Sequence, residues 1–145
     1  MKSLKLLFLI VLLPAGAVAD DLSAVAGHYR YEQYSVTLPN QRVLRLGDLG
    51  ATEAFLDISA TGTITLRMTL KAGNVVTETA KILEAHFTGL KGYWIAQWPD
   101  MASPVRAQIS PVDGGIVSDT RFDDRSDTAR FGSVEHAVLR KIVSR

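Results

Sequence analysis

Two tryptophans in one short segment are the residues of this 145-residue chain whose type and spacing best suit the binding of a small molecule. Trp94 and Trp98 belong to the run Gly-Tyr-Trp-Ile-Ala-Gln-Trp, and in a β-strand they share one face with Ala96. Indole rings provide flat apolar walls and an N–H donor, as a cavity for a small molecule requires. We predict that Trp94 and Trp98 are ligand-binding residues; the alternative is that both rings only fill the core.

An acid–base pair is the second chemical candidate. Glu84 and His86 have the same strand parity as Ile82, so an inward orientation of that face would bury a carboxyl near an imidazole, as proton transfer requires. The opposite face, which carries Ala85 and Phe87, is an equally good interior. The sequence leaves both orientations open, and we assign no catalytic residue.

The sequence contains residue types that could bind a metal, but their spacing is not that of a metal-binding motif. The 119–127 segment contains four carboxylates, but it lacks the sixth-place glycine and the closing glutamate of a calcium loop, and Arg121 and Arg125 can neutralise it. We interpret it as a solvated hairpin tip. The chain has no cysteine, and no two of its histidines have helical ligand spacing: His28, His86 and His136. We expect no metal site and no cofactor.

Period-2 alternation of apolar residues predicts the elements that position these side chains. In Thr63–Leu70, one face carries Ile64, Leu66 and Met68 and the other carries Arg67, and turn residues flank the segment on both sides. About eight short strands are predicted in all, at the turn spacing of a barrel or sandwich. The other strands are expected over 28–36, 53–59, 75–87, 93–98, 105–110, 116–122 and within 129–142.

Two of these strands are irregular in the sequence. The first carries Tyr29 and Tyr31 and then Tyr34 and Val36, so its apolar register slips by one residue, which indicates a β-bulge. The 75–87 segment is long enough to break into two strands.

The C-terminal segment allows two interpretations. Ser133 could cap a helix that carries Val134, Val138 and Ile142 on one face. We favour a strand because two β-branched residues end the run. The fold prediction therefore includes room for one short helix.

The 37–52 connection is long for a compact domain, and connections of that length usually have a functional or packing role. It contains Pro39 and Gly47, yet it keeps several leucines. We predict that it covers the tryptophan cavity and that Leu44 and Leu46 contact the ligand.

The N-terminus has the three parts of a cleavable signal peptide. Lys2 and Lys5 precede the apolar run 6–13, and Ala-Val-Ala follows, with cleavage expected before Asp20. The apolar run is shorter than the roughly 20 residues of a membrane anchor. We predict a signal peptide over residues 1–19 and a single domain over residues 20–145, with a periplasmic location, or a secreted one as the alternative.

The charge of the predicted mature chain excludes a nucleic acid as an expected partner. Cleavage removes two lysines, leaving 14 Lys and Arg against 15 Asp and Glu, a net charge of −1. A chain that binds nucleic acid or an anionic membrane surface is usually basic. We expect no nucleic-acid partner, and no membrane-spanning segment after the signal.

The organisation of the chain resembles the lipocalin-like (calycin) up-and-down barrels. The likeness lies in the Gly27-His28-Tyr29 opening, the long first connection, the successive hairpins and the late Arg140. The resemblance implies an all-β fold, a small antiparallel barrel. It also implies that Tyr29 packs at the closed end beneath Arg140, although the family usually has tryptophan at the position of Tyr29.

These observations favour a non-enzymatic exported barrel that binds a small apolar or amphipathic molecule. The chain has no Gly-x-Ser-x-Gly, phosphate loop or dinucleotide fingerprint. The first alternative is an envelope module or inhibitor that binds another protein. The second is an enzyme with an acid–base pair inside the barrel.

Overall fold

A computed structural model describes residues 22–88 and 91–143. Within these ranges the chain forms nine strands and a 3-10 turn at Leu46–Leu49. The strands are β1 Gly27–Thr37, β2 Val43–Arg45, β3 Ala51–Ile58, β4 Thr63–Leu70, β5 Val75–Thr88, β6 Lys91–Gln97, β7 Val105–Val112, β8 Gly115–Arg121 and β9 Val134–Lys141.

Eight of the nine strands close into an antiparallel barrel. Strands β1 and β3 to β9 each pair with the next in that order, and β9 pairs back onto β1. The short β2 pairs with the end of β1 and lies outside the closed ring. This topology confirms the predicted small antiparallel up-and-down barrel of about eight strands.

Alternation of apolar and polar residues explains why these segments are strands. Strand β4 has the predicted bounds, with Ile64 completely buried and Arg67 exposed. The C-terminal segment is also a strand, as favoured, and Ala137 and Leu139 are its inward side chains. Because every second residue faces the interior, each strand contributes one row of side chains to the core.

The described strands contain three register shifts: one at the start of β3, between Ala51 and Glu53, and two that decide which candidate site residues face inward. The register of β1 shifts between Tyr31 and Gln33, which confirms the predicted slip. Strand β5 is one continuous strand with a shift between Ile82 and Glu84, so the segment does not break in two. A bulge adds one residue to one strand and reverses the facing of the residues that follow.

The connection after β1 is more structured than predicted. Residues 37–52 were expected to contain no strand, but Val43–Arg45 pairs with Ser35–Thr37 to form β2, and β3 already begins at Ala51. The 3-10 turn ends at Gly50, whose positive φ of 81° suits glycine. Three residues are too few to show an alternation of apolar and polar residues in the sequence. This strand forms because it pairs with the extended end of β1.

An apolar plug fills one end of the barrel. Leu22 and Val25, which precede β1, are completely buried. The Tyr29 hydroxyl donates a hydrogen bond of 2.7 Å to the carbonyl oxygen of Val25, which fixes the plug against β1. We call this the closed end; the 3-10 turn and the β4–β5, β6–β7 and β8–β9 connections surround the opposite, open end.

The predicted signal peptide over residues 1–19 and the expected start at Asp20 lie outside the described residues. Among the residues that the structure does describe, no helix has the length and apolar character needed to cross a membrane.

Candidate functional site

A cavity of about 220 Å³ occupies the open half of the barrel. Every barrel strand contributes to its wall, and three connections form its rim. The apolar and aromatic part of the wall consists of Tyr31, Tyr34, Leu46, Leu49, Ala54, Leu56, Ile64, Leu66, Met68, Trp94, Trp98, Met101, Val105, Ala107, Phe122, Ala137 and Leu139.

Strand β6 places both tryptophans on the cavity wall. Trp94 and Ala96 are buried and alternate with the outward-facing Tyr93 and Ile95, and Trp98 continues the inward row just after the strand. Both predicted tryptophans therefore line the cavity. Whether they bind a ligand stays a prediction.

The bulge in β1 turns two tyrosines into the same cavity. Tyr31 precedes the register shift and Tyr34 follows it, and both line the wall. Their rings meet edge to face, with centroids 5.8 Å apart and an interplanar angle of 78°. Without the bulge, residues 31 and 34 would lie on opposite faces of the strand.

A carboxyl group from β9 completes a polar cluster with these tyrosines. Glu135 has the same parity as Ala137 and Leu139 and lines the cavity. The Tyr34 hydroxyl donates a hydrogen bond of 2.9 Å to Glu135 Oε2. A hydroxyl, a second phenol and a carboxyl thus lie together in an otherwise apolar wall.

Burial changes the ionisation of this cluster. Removal from water raises the pKa of Glu135, and the hydrogen bond from Tyr34 opposes that rise. Burial also raises the pKa of Tyr31 and of Tyr34, and the nearby Glu135 carboxylate raises both further. Both phenols therefore stay protonated at every physiological pH.

The charged residues of the cavity are mostly acidic. Glu78, Glu135 and Asp100 line it together with the single cation Arg130. The Arg130 guanidinium is already engaged, with 2.9 Å from Nη1 to Asp127 Oδ2 and 2.7 Å from Nη2 to Asp100 Oδ2. Among the described residues, neither Glu78 nor Glu135 has a cationic side chain within ion-pair distance.

Arg130 also joins two of the connections at the open end. It belongs to the β8–β9 connection with Asp127, whereas Asp100 belongs to the β6–β7 connection. The 3-10 turn also brings Leu46 and Leu49 to the rim. The backbone N–H of Arg45 donates a 2.9 Å hydrogen bond to Asp48 Oδ2, which fixes that turn.

The structure separates the two leucines of the 37–52 connection that are predicted to contact the ligand. Leu46 lines the cavity, and so does Leu49, which sequence reasoning did not select. Leu44 is half-buried in β2, opposite Val36, and is not among the described residues of the cavity wall. Of the two predicted contacts in this connection, the structure thus places only Leu46 at the cavity.

The three residues that carried the resemblance lie at the closed end of β1 and β9. Gly27 opens β1 with a φ of 150°, and a side chain there would meet Lys141. Tyr29 is 2% exposed. Arg140 differs: its side chain is 71% exposed and its Nε lies 2.7 Å from Glu32 Oε1 on the outer face. Tyr29 is instead covered by the plug.

The acid–base pair considered from the sequence lies outside the barrel. After the bulge in β5, Ala85 and Phe87 face inward, and Glu84 and His86 are exposed. Glu84 Oε1 accepts a hydrogen bond of 2.8 Å from the Tyr93 hydroxyl on that outer surface. The structure therefore does not bring Glu84 and His86 into an internal catalytic site.

The acidic 119–127 segment is held together by hydrogen bonds at the surface. Asp124 Oδ1 accepts bonds from the backbone and the hydroxyl of Ser126, at 2.9 and 2.7 Å, and Asp127 pairs with Arg130. Within residues 22–88 and 91–143, no three His, Cys, Asp or Glu side chains converge as metal ligands would.

Sequence reasoning missed the polar cluster. The tyrosines were noted only for the register slip, and Glu135 was not selected at all. The signal that could have found Glu135 is strand parity. In the run Glu135-His136-Ala137-Val138-Leu139, Glu135 shares its face with Ala137 and Leu139, the two buried residues of β9. An acidic residue on an apolar face needs a partner or a function.

No family model and no curated protein matches the chain in sequence. The solved structure of a lipocalin-like protein from Bacteroides uniformis ATCC 8492 is similar to it, with 12% identity, a TM-score of 0.45, and coverage of 81% of this chain and 98% of that chain. The strand order and register of this chain define its fold independently of that likeness.

Proposed function

We propose that this protein is an exported carrier or sensor that binds one small amphipathic molecule inside its barrel. The observation that carries the proposal is the cavity in the open half, where the two tryptophans lie with a half-buried hydroxyl–carboxyl pair, Tyr34 and Glu135. Binding sites for small molecules combine an apolar wall with a few placed polar groups that fix orientation. A packed barrel interior needs no such pair.

The size of the cavity limits the ligand. Its volume of about 220 Å³ lies below the roughly 300–1,000 Å³ of sites for drug-sized molecules. An apolar cavity of about 150 Å³ already holds one benzene ring. We therefore expect a ligand with one ring, or a short branched chain, and one polar head.

The proposal is tested by fluorescence titration, because the chain has two tryptophans and both line the cavity. Small amphipathic compounds with amine, alcohol and acid heads are added while tryptophan emission is followed. We expect a saturable change with at least one class. A lack of response from every class would overturn the proposal. It would favour the protein-interaction alternative, to which the exposed Val43, Leu49 and Val75 near the rim point.

A matched pair of variants locates the binding site. Ala107 is buried on the cavity wall, so Ala107→Phe fills the cavity and should abolish binding. Its neighbour Gln108 is exposed and faces a separate outer cleft, so Gln108→Phe should leave binding unchanged. Equal loss in both variants would place the ligand elsewhere. Thermal unfolding of both variants checks that each is folded.

Export is the second part of the proposal, and it rests on the sequence of residues 1–19. N-terminal sequencing of the protein recovered from the periplasm of an expressing bacterium should begin at Asp20. A chain that remains in the cytoplasm with its N-terminus intact would contradict export and leave the ligand proposal unaffected.

A further inference from the structure

We infer that the ligand is a small organic amine, held with its ammonium group against Glu135 and its apolar body between the tryptophan and tyrosine rings. The inference rests on the proposed function and names the chemical class of the ligand. It is carried by the charges and the aromatic surfaces that face the cavity.

Among the described residues, the cavity wall offers no free cation to Glu135 or Glu78. Arg130 is engaged by Asp127 and Asp100, and among the described residues no cationic side chain pairs with Glu135 or Glu78. An ionised carboxylate in a buried site is stable only when it is paired and hydrogen-bonded. Tyr34 supplies one hydrogen bond to Glu135. An ammonium group from the ligand would supply the missing charge.

Aromatic rings lie beside the position that the ammonium group would occupy and elsewhere on the cavity wall. Tyr31 and Tyr34 lie beside Glu135, and Trp94 and Trp98 belong to the same cavity. The faces of such rings attract cations, most strongly where water is excluded. Carboxylate and ring faces together favour a cation over a neutral head.

The same wall disfavours acids. A ligand carboxylate would lie near Glu135, Glu78 and Asp100, and like charges in a partly buried site repel strongly. The one cation that could balance it, Arg130, would have to leave Asp127 or Asp100. Fatty acids and aromatic acids are therefore poor candidates.

Three compounds with one phenyl ring and a two-carbon side chain separate these possibilities: phenethylamine, 2-phenylethanol and phenylacetate. We expect calorimetry of the full mature chain at neutral pH to give binding of phenethylamine about tenfold or more tighter than of the alcohol, and none of the acid. Equal binding of amine and alcohol, or tighter binding of the acid, would overturn the inference and leave the proposed function standing. No binding of any compound would count against both.

Two variants identify the group that recognises the amine. Glu135→Gln keeps the shape and an acceptor for Tyr34 but removes the charge, so it should weaken phenethylamine binding about tenfold or more and leave 2-phenylethanol binding nearly unchanged. Glu84→Gln is the matched control, because Glu84 also accepts a hydrogen bond from a tyrosine hydroxyl, on the outer face. An equal effect of the two variants, or no effect of Glu135→Gln, would contradict the assignment.

Proton linkage gives a readout that is independent of the variants. Burial raises the pKa of the Glu135 carboxyl, and an ammonium ligand favours its ionised form, so amine binding should release protons and weaken as the pH falls through that pKa. The other titratable or charged groups facing the cavity are Tyr31 and Tyr34 on β1, Glu78 on β5, Asp100 and Arg130. Calorimetry in buffers of different ionisation enthalpy measures the release; a release that persists in Glu135→Gln would assign it to another group.

Discussion

The two ends of the barrel interior are built from the same alternating strands but hold different residues. The closed end is packed with aliphatic side chains around Tyr29, and Leu22, Val25, Ile109 and Ile116 are buried there almost completely. The open end holds tryptophans, tyrosines, acids and a cavity of about 220 Å³. The closed end therefore contributes mainly to stability, while the open end encloses space that its side chains do not fill.

The difference between the two ends shows that strand alternation determines whether a side chain faces the interior, but not whether it packs a core or lines a cavity. Two tyrosine–glutamate pairs make the same point across the barrel wall. Tyr34 and Glu135 form a hydrogen bond inside the cavity, and Tyr93 and Glu84 form one on the outer face. Only burial distinguishes the pairs, and only the inner pair faces a space that a ligand can enter.

The largest expected effect comes from the closed end. Ile109→Ala should lower the free energy of unfolding by about 2–5 kcal/mol, because it leaves a cavity in a filled core. Val105 is on the same face of β7 but lines the open cavity and is half-buried, so Val105→Ala should cost about 1 kcal/mol or less. Urea unfolding measures both. Equal losses would show that the two ends are packed alike.

The second effect is electrostatic and depends on pH. Burial raises the pKa of Glu135 above its ordinary value of 4.5. The folded state therefore binds this proton more tightly than the unfolded state does, and stability due to Glu135 is lost as the pH rises through the folded pKa. Glu135→Gln should be more stable than the native chain at neutral pH, and this advantage should vanish below about pH 4.5.

Thermal unfolding from pH 4 to pH 8 measures this difference. Glu84→Gln is the control, because an exposed, hydrated carboxyl gains little when its charge is removed. A Glu135→Gln advantage that is the same at every pH would contradict the burial of this carboxyl.

The third effect concerns the rim. Arg130→Ala removes the contacts that join the β6–β7 and β8–β9 connections, and because Arg130 is partly exposed the cost in stability should stay below about 1 kcal/mol. Hydrogen exchange should accelerate in residues 98–104 and 122–133 and stay unchanged at the closed end. Arg125→Ala, in the same connection, is the control; acceleration at the closed end would contradict the separation of the two ends.

The smallest effect is expected on the outer face of β4. The Arg67 guanidinium lies 5.3 Å from the centre of the Phe55 ring at the surface, so Arg67→Ala should change stability by no more than about 0.5 kcal/mol. Met68→Asp, one residue further on, adds an unpaired carboxyl to the cavity wall and should cost several kcal/mol. Similar unfolding midpoints for the two variants would show that the assignment of inward- and outward-facing residues in β4 is wrong.

Much of this architecture could be predicted from the sequence because the signal is local. The alternation and flanking turns of β4 gave its bounds, and the slip after Tyr31 gave the bulge in β1. The facing of Glu84 and His86 stayed open in the sequence, because Leu83 continues the apolar row of Ala85 and Phe87 and so masks the bulge in β5. Strand β2 is too short to show a period.

The apolar residues of the candidate site could be predicted from the sequence, whereas its half-buried acid Glu135 was missed. Trp94, Trp98 and Leu46 were found because they are apolar residues with strand parity or loop context. Glu135 was missed because a lone acid in a strand is usually solvent-exposed, and its burial depends on partners from β1 and β8. The exposed position of Arg140 reflects its pairing with Glu32, which follows from the β1–β9 register.

Methionine methyl NMR tests the central claim, that the open half of the barrel binds a small ligand, most directly. The chain has three methionines: Met1 lies in the predicted signal peptide, and Met68 and Met101 both line the cavity. Methyl-labelled mature chain is titrated with phenethylamine. We predict that both methyl resonances shift and saturate with one dissociation constant, because the ligand ring lies beside each of them. If binding heat appears while neither resonance moves, the ligand is outside the cavity and the account is wrong.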